Sequence, residues 1–185
     1  TTRQILIRHQ IYLFDKFDNK GHSNKEITNL IAENMDLQRI LKNSAEYWDG
    51  GYTMAGLVGH GDAFVLRDPC GIRPAFWYED EEIVVVASER PVIQTAFNLK
   101  WEDIQELSPG HALIIKKNGE TSEQLVREPE NDAKCSFERI YFSRGTDKDI
   151  YQERLELGRL VTQKVLKEID YDLRNSVFSF IPNTA

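Results

Sequence analysis

The chain has 185 residues, 41% hydrophobic and 29% charged, which is room for one medium domain or one domain with part of another under a charged surface. A formal net charge of −7 excludes nucleic-acid binding through a broad basic face, and no apolar run approaches the roughly 20 residues that cross a bilayer. The opening TTRQILIRHQ lacks the apolar stretch of a secretory signal, and with only Cys70 and Cys135 the simplest reading is a cytoplasmic protein with reduced thiols.

The first twenty residues mix an apolar run, IYLFDKF, with the turn signal DNKG, and give no clear element. Ser23 then precedes Glu26 by three, the spacing of a capping box, and Ile27, Leu30, Ile31 and Met35 follow at helical intervals. A second helix is predicted from Leu37 to Trp48, with Ile40, Leu41, Ala45 and Trp48 on one face and DGG as its exit. From Tyr52 the period changes. YTMAGLVG, AFVLRD, AFWYED and EIVVVAS are short runs rich in β-branched and aromatic residues, broken by turn signals, and they predict an antiparallel meander. EIVVVA is apolar nearly throughout, which predicts a strand covered on both faces.

SERPVIQTAF predicts a short helix with Ser88 as N-cap and Pro91 in the first turn. DIQEL, HALIIKK and EQLVRE are further strands, the last two joined through the Asn118-Gly119 pair favoured in tight hairpins. REPENDAKC is polar and aperiodic, a linker. After it come a predicted strand (FERIYFS), a long helix from about Ile150 to Ile169 and a last strand (SVFSFI), an order that suggests the opening of a parallel α/β unit. The chain reads as most of one antiparallel α+β domain followed by the first elements of another.

LRDPCGIRPAFWY carries the most information. Asp68, Pro69 and Gly71 have the chemistry of a turn: an acceptor for backbone hydrogens, a fixed dihedral and a residue that tolerates positive φ. Alone it would be a hairpin. With WDGGYTMAGLVG before it and VVVASERPVI after it, it resembles the glutaminase domain of class II glutamine amidotransferases, whose motifs run GAYALV, RDPxGIRPL and ASES at matching intervals. CSFERIYFSRGTDKDIYQERLELG, from Cys135, resembles the segment that leads from that domain into the phosphoribosyltransferase domain in the glutamine phosphoribosylpyrophosphate amidotransferase (amidophosphoribosyltransferase) family. In that segment Phe137, Ile140, Tyr141 and Phe142 would anchor a crossing strand, and Arg139, Arg144 and Arg154 would pair with carboxylates at a domain interface.

The resemblance runs from Asp49 to the end and weakens toward the start. It implies an α+β fold: part of an N-terminal-nucleophile hydrolase sandwich over residues 1–134, the later part of the glutaminase domain. Residues 135–185 would then be the crossing and the start of an α/β phosphoribosyltransferase domain. The implied parent hydrolyses glutamine and passes the ammonia to phosphoribosyl pyrophosphate, with magnesium accompanying that substrate, in the first committed step of purine synthesis. It would be a cytoplasmic homo-oligomer that touches neither nucleic acid nor membrane.

The family's nucleophile is an N-terminal cysteine, with an arginine for the glutamine carboxylate and an Asn-Gly oxyanion hole. No counterpart to these is found here, so the chain is expected to be a fragment that is inactive alone, with no catalytic residue of its own. Thr1 stands first, and an N-terminal threonine serves as nucleophile elsewhere in this broad fold; a residue left at a truncation point is the simpler reading. The family's aspartate for the substrate ammonium aligns with Asn24, which would keep a hydrogen bond and lose its charge, or would simply belong to a helix cap with Ser23. Cys135 sits where some members place one ligand of a [4Fe–4S] cluster, against the alternative of a buried structural thiol. His9, His22, His60 and His111 have no metal-ligand spacing and read as surface residues. Two other readings stay open: a degenerate amidotransferase-like module that binds without catalysis, and a self-contained threonine hydrolase.

Overall fold

The computed structural model describes residues 2–18 and 20–179. They fold into two compact units, one built from the stretch up to Ala75 with Glu106–Ala133, the other from Phe76–Gln105 with the stretch from Lys134 on.

The first unit opens with a helix that sequence periodicity left unassigned, α1 (Thr2–Asp18). Leu13 and Phe17, four apart, are its buried residues, and they pack on Ile27 of α2 (Asn24–Glu33). The predicted capping box is present: Glu26 N–H donates to Ser23 Oγ at 3.4 Å, and Ser23 N–H donates back to Glu26 Oε2 at 2.7 Å. The Ser23 hydroxyl also donates to Glu26 Oε2 at 2.7 Å, and this bond first, with the Ser23 N–H second, lowers the Glu26 pKa. α3 (Leu37–Ala45) is capped by Asp36, whose Oδ1 accepts from Arg39 N–H. It ends three residues before the predicted Trp48, which stands beyond the helix in an edge-on pair with Tyr52.

Four strands form one antiparallel sheet in the order β1-β2-β6-β7: β1 (Thr53–Leu57), β2 (Ala63–Arg67), β6 (His111–Ile115) and β7 (Thr121–Leu125). Phe64 pairs with Ile114 and Leu66 with Ala112, and this face meets Leu37, Ile40, Leu41 and Ala45 of α3 in the main core. Val65 and Leu113, paired on the other face, are buried as well. The strands covered on both faces are therefore the two central ones, β2 and β6. The predicted turn between β6 and β7 is closed by Lys116 N–H to Glu120 carbonyl at 2.8 Å, with Gly119 at φ +90°.

Across the tips of this sheet, buried Asp62 accepts from Lys116 Nζ and from the Lys117 N–H, each at 2.9 Å. His60 Nε2 lies 3.1 Å from Asp62 Oδ2, close enough to attract it but out of line for a hydrogen bond. Burial alone would raise the Asp62 pKa; the Lys116 and Lys117 donors, with His60 beside them, outweigh it and bring it to about 2. The folded value lies below the ordinary 3.8, so Asp62 contributes stability in full above about pH 4 and loses it as pH falls through 2. Thermal melts should show wild type more stable than Asp62→Asn at pH 5, with the gap closing by pH 2. A gap that stays constant with pH would refute the assignment.

In the second unit β3 (Phe76–Glu79) and β4 (Val84–Ala87) form a hairpin, and the sheet order is β4-β3-β5 with β5 at Gln105–Glu106. Asp80 Oδ1 closes the hairpin turn by accepting from Glu82 and Ile83 N–H. Two expectations are corrected here. The predicted meander is split between two sheets, because β2 pairs with β6 and not with β3. EIVVVA is not doubly covered: β4 is an edge strand and all four of its residues are half-buried. The helix predicted after it is α4 (Arg90–Phe97), with Pro91 in its first turn, but its N-cap is Glu89 and not Ser88. A 3-10 turn follows at Trp101–Asp103.

The C-terminal stretch departs furthest from expectation. FERIYFS is not a strand but a π-helical turn, Glu138–Phe142, and SVFSFI has no strand over its described residues, 176–179; Phe180 and Ile181 lie outside them. Only the helix between them is as predicted, α5 (Lys148–Glu168). A strand–helix–strand unit is therefore absent from the described residues. The observed class is α+β, helices with antiparallel sheets. Among the described residues no helix is long and apolar enough to cross a membrane.

Candidate functional site

The turn after β2 is built around two buried charges. Asp68, fully buried, accepts through Oδ1 from the N–H groups of Cys70 (3.1 Å) and Ile72 (2.9 Å), and through Oδ2 from Arg73 N–H at 3.0 Å. Its main chain is equally committed: its N–H donates to Tyr52, and its carbonyl accepts from Gly71 and Gly110. Arg67 beside it donates to the carbonyls of Arg73 (2.8 Å), Leu107 (2.6 Å) and Gly71 (3.2 Å), and pairs with Glu106 at 2.8 Å. Every polar direction of both side chains faces the fold. Together they fix the backbone of the turn.

Pro74 does not open a returning strand, since the chain passes from β2 in one sheet to β3 in the other. Gly71 holds φ +62°, as the turn chemistry requires, and a Cβ there would stand 3.1 Å from Pro109 Cγ. Gly71→Val should cost about 2 to 3 kcal/mol, the sum of a strained backbone and a crowded neighbour. Urea unfolding at the wild-type midpoint would contradict this.

The residues singled out from sequence are scattered. Asn24 is the exposed first residue of α2, where its carbonyl accepts from Thr28 Oγ1 at 2.9 Å. Thr1 lies outside the described residues. Cys70 is half-buried in the Asp68 turn, 3.6 Å from Glu130 Oε2, and burial followed by that carboxylate's charge raises its pKa, which makes it a poor nucleophile. Cys135 is half-buried in the other unit. A [4Fe–4S] cluster takes four thiolates; this chain has two, in separate units, and no three His, Cys, Asp or Glu among the described residues gather as a metal site. The chain's own residues therefore do not fit a cluster, and Cys135 supplies at most one ligand. The histidines are corrected in part: His22 is exposed, but His9, His60 and His111 are half-buried, and His111 Nδ1 lies 2.9 Å from the Pro109 carbonyl.

The segment from Cys135 is held by arginines, not all as expected. Arg139 pairs with Glu153, and Arg144 Nε donates to Glu89 at 2.8 Å. Arg154 meets no carboxylate in the hydrogen bonds it makes. Its Nη2 donates to the carbonyls of Ile140 (2.6 Å), Ser143 (2.8 Å) and Arg139 (3.3 Å), which end the π-helical turn. Phe137, Tyr141 and Phe142 do not anchor a strand: they stack on one another, 5.1 to 5.7 Å between ring centres, and stay more than half exposed. On α5, Leu155, Leu160 and Val161 are exposed too.

Sequence reasoning missed Arg90. It is buried on α4, its guanidinium 4.6 Å from the Phe76 ring centre and 4.4 Å from that of Trp101, with Asp149 at 3.2 Å and Asp147 at 3.8 Å. Asp147 is the N-cap of α5, accepting from Asp149 and Ile150 N–H. A cation at the start of a helix beside a proline gives no periodic signal, so only the fold reveals it.

The amidophosphoribosyltransferase of Lachancea kluyveri is 31% identical over 166 residues, which cover 83% of this chain and 32% of that protein. The chain is a homologue of the amidophosphoribosyltransferases. The Saccharomyces cerevisiae enzyme is 30% identical over the same shares of each chain, and that of Pseudomonas aeruginosa 30% over 146 residues, 74% of this chain and 28% of that one. This homologue thus spans about a third of the length of the curated relatives it matches. The solved glutamine phosphoribosylpyrophosphate amidotransferase of B. subtilis superposes with a TM-score of 0.49 at 28% identity, over 72% of this chain and 30% of that one. No family model matches the chain.

Proposed function

We propose that this chain is a portion of an amidophosphoribosyltransferase. Residues 1–134 would be the later part of its class II glutaminase domain, with the N-terminal-nucleophile sandwich, and 135–185 the crossing and first elements of its phosphoribosyltransferase domain. The whole protein would hydrolyse glutamine and transfer the ammonia to phosphoribosyl pyrophosphate, with magnesium on that substrate, as a cytoplasmic homo-oligomer in purine synthesis. The observation that carries this reading is the 31% identity over 166 residues, running through both the Asp68 turn and the crossing segment.

Within the chain the proposed roles are supporting ones. Asn24 would stand at the position of the family's ammonium-binding aspartate and give the substrate one neutral hydrogen bond, about half the strength of a charge-assisted one. The Asp68 turn would hold the end of β2 in place. Cys135 would be a structural thiol, or a single ligand where the rest of the protein supplies the others.

The test is to express the complete product of the gene in cells that lack this enzyme. Growth without added purine supports the reading; a soluble full-length protein that releases no glutamate from glutamine would sink it in favour of the non-catalytic module. The 185-residue chain alone should release no glutamate above buffer. Turnover that disappears in Thr1→Ala would point instead to a threonine hydrolase.

A further inference from the structure

A cleft of about 500 Å³ opens between α1 and α3. Arg8 and Tyr12, one turn apart, come from the first helix; Arg39, Asn43 and Tyr47, each four residues from the last, come from α3 and its exit, and Glu46 lies beside them. Helical spacing therefore stacks the polar groups of each element along one wall. Buried Ile40 contributes an apolar patch, and His9, on the same lining, accepts the Asp36 N–H through Nε2 at 3.4 Å.

The charges in this cleft are not matched. Most other arginines are committed: Arg67, Arg90, Arg127, Arg139, Arg144 and Arg159 each meet a carboxylate, and Arg154 meets three carbonyls, while Arg3 and Arg174 are exposed and have no side-chain partner among the described residues. The guanidinium groups of Arg8 and Arg39 make neither an ion pair nor a hydrogen bond among the described residues, although the chain carries 30 acidic side chains. Two such groups on one lining hold a net positive field that the single carboxylate of Glu46 does not cancel. A guanidinium presents a fork of donors that matches phosphate or carboxylate oxygens. The volume falls within the range of small-molecule sites, about 300 to 1,000 Å³.

We propose that this cleft binds a small anion, a phosphate ester or a carboxylate, whose oxygens meet Arg8 and Arg39. Asn43 and the tyrosine hydroxyls add neutral hydrogen bonds, and Glu46 accepts from a hydroxyl or amine on the same ligand. The site is independent of the glutamine and phosphoribosyl chemistry proposed above.

Titrations of the 185-residue chain with inorganic phosphate, glycerol 3-phosphate and succinate, followed by backbone amide shifts at low salt, test this. Saturable binding with shifts on α1 and α3 is expected, weakening about tenfold or more in Arg8→Gln and in Arg39→Gln, the loss of one charge-assisted contact. Both side chains are exposed, so these variants should melt like wild type; Arg174→Gln, remote in sequence and without a side-chain partner among the described residues, should bind like wild type. Preference for the two phosphates assigns a phosphate ester, and preference for succinate a carboxylate. The proposal fails if none of the three saturates, if the two glutamine variants bind as wild type does, or if Arg174→Gln weakens binding equally.

Discussion

Asp68→Ala should destabilise the first unit severely. The side chain is fully buried, and its two oxygens are the acceptors for three backbone N–H groups, those of Cys70, Ile72 and Arg73. Alanine removes the acceptors and fills none of their places. Each buried donor left unpaired costs about 1 to 3 kcal/mol, so the loss should be about 3 kcal/mol or more against a total stability of only about 5 to 15. Arg67 makes the loss worse, since its bonds to Gly71, Arg73 and Leu107 require the same turn geometry. Asp68→Asn separates geometry from charge: one oxygen still accepts, but the amide faces one of the former donors. About half the loss is expected. Urea unfolding of both variants, followed by far-UV circular dichroism, gives the comparison. If Asp68→Ala unfolds within 1 kcal/mol of wild type, the turn is not the keystone described here.

Arg90→Leu should loosen α5. The substitution leaves Asp147, itself buried, without its cation, and removes a group stacked between Phe76 and Trp101. Breaking a buried pair by removing one partner costs about 3 to 5 kcal/mol, more than the pair's own net worth, because a desolvated charge remains. Asp149 is half exposed and can turn to water, so its share is small. The damage should be local: hydrogen exchange of the amides from Lys148 onward should rise sharply while β2 and β6 keep their protection. Arg90→Lys should recover only part, since an ammonium keeps the charge and loses the planar stack. Unchanged exchange in α5 in the leucine variant would mean that its N-cap holds without help.

Much of the first unit was legible from the chain. The Ser23–Glu26 box, the apolar stripe of α3, the Asn118-Gly119 turn and the positive φ of Gly71 are local: each depends on residues within a few positions, and short-range sterics and hydrogen bonds decide them. α1 was legible in principle, since its buried Leu13 and Phe17 are four apart, but the neighbouring Ile11, Tyr12 and Phe14 are exposed and blur the period. The candidate site was less legible still. Asn24 and Cys135 rest on alignment with relatives, and Arg90 carried no pattern at all.

What the sequence determined by itself was the inventory of short-range elements and, through the order of motifs from Asp49 on, the likeness to a family. Tertiary structure alone decided which strands share a sheet, because the β2 edge that could have paired with β3 finds its partner in β6, more than forty residues later. It also decided that FERIYFS forms a π-helical turn. Aromatic and β-branched residues favour a strand only when a neighbouring strand supplies the hydrogen bonds; here Arg154 supplies donors to the turn's carbonyls instead, and the backbone closes on itself.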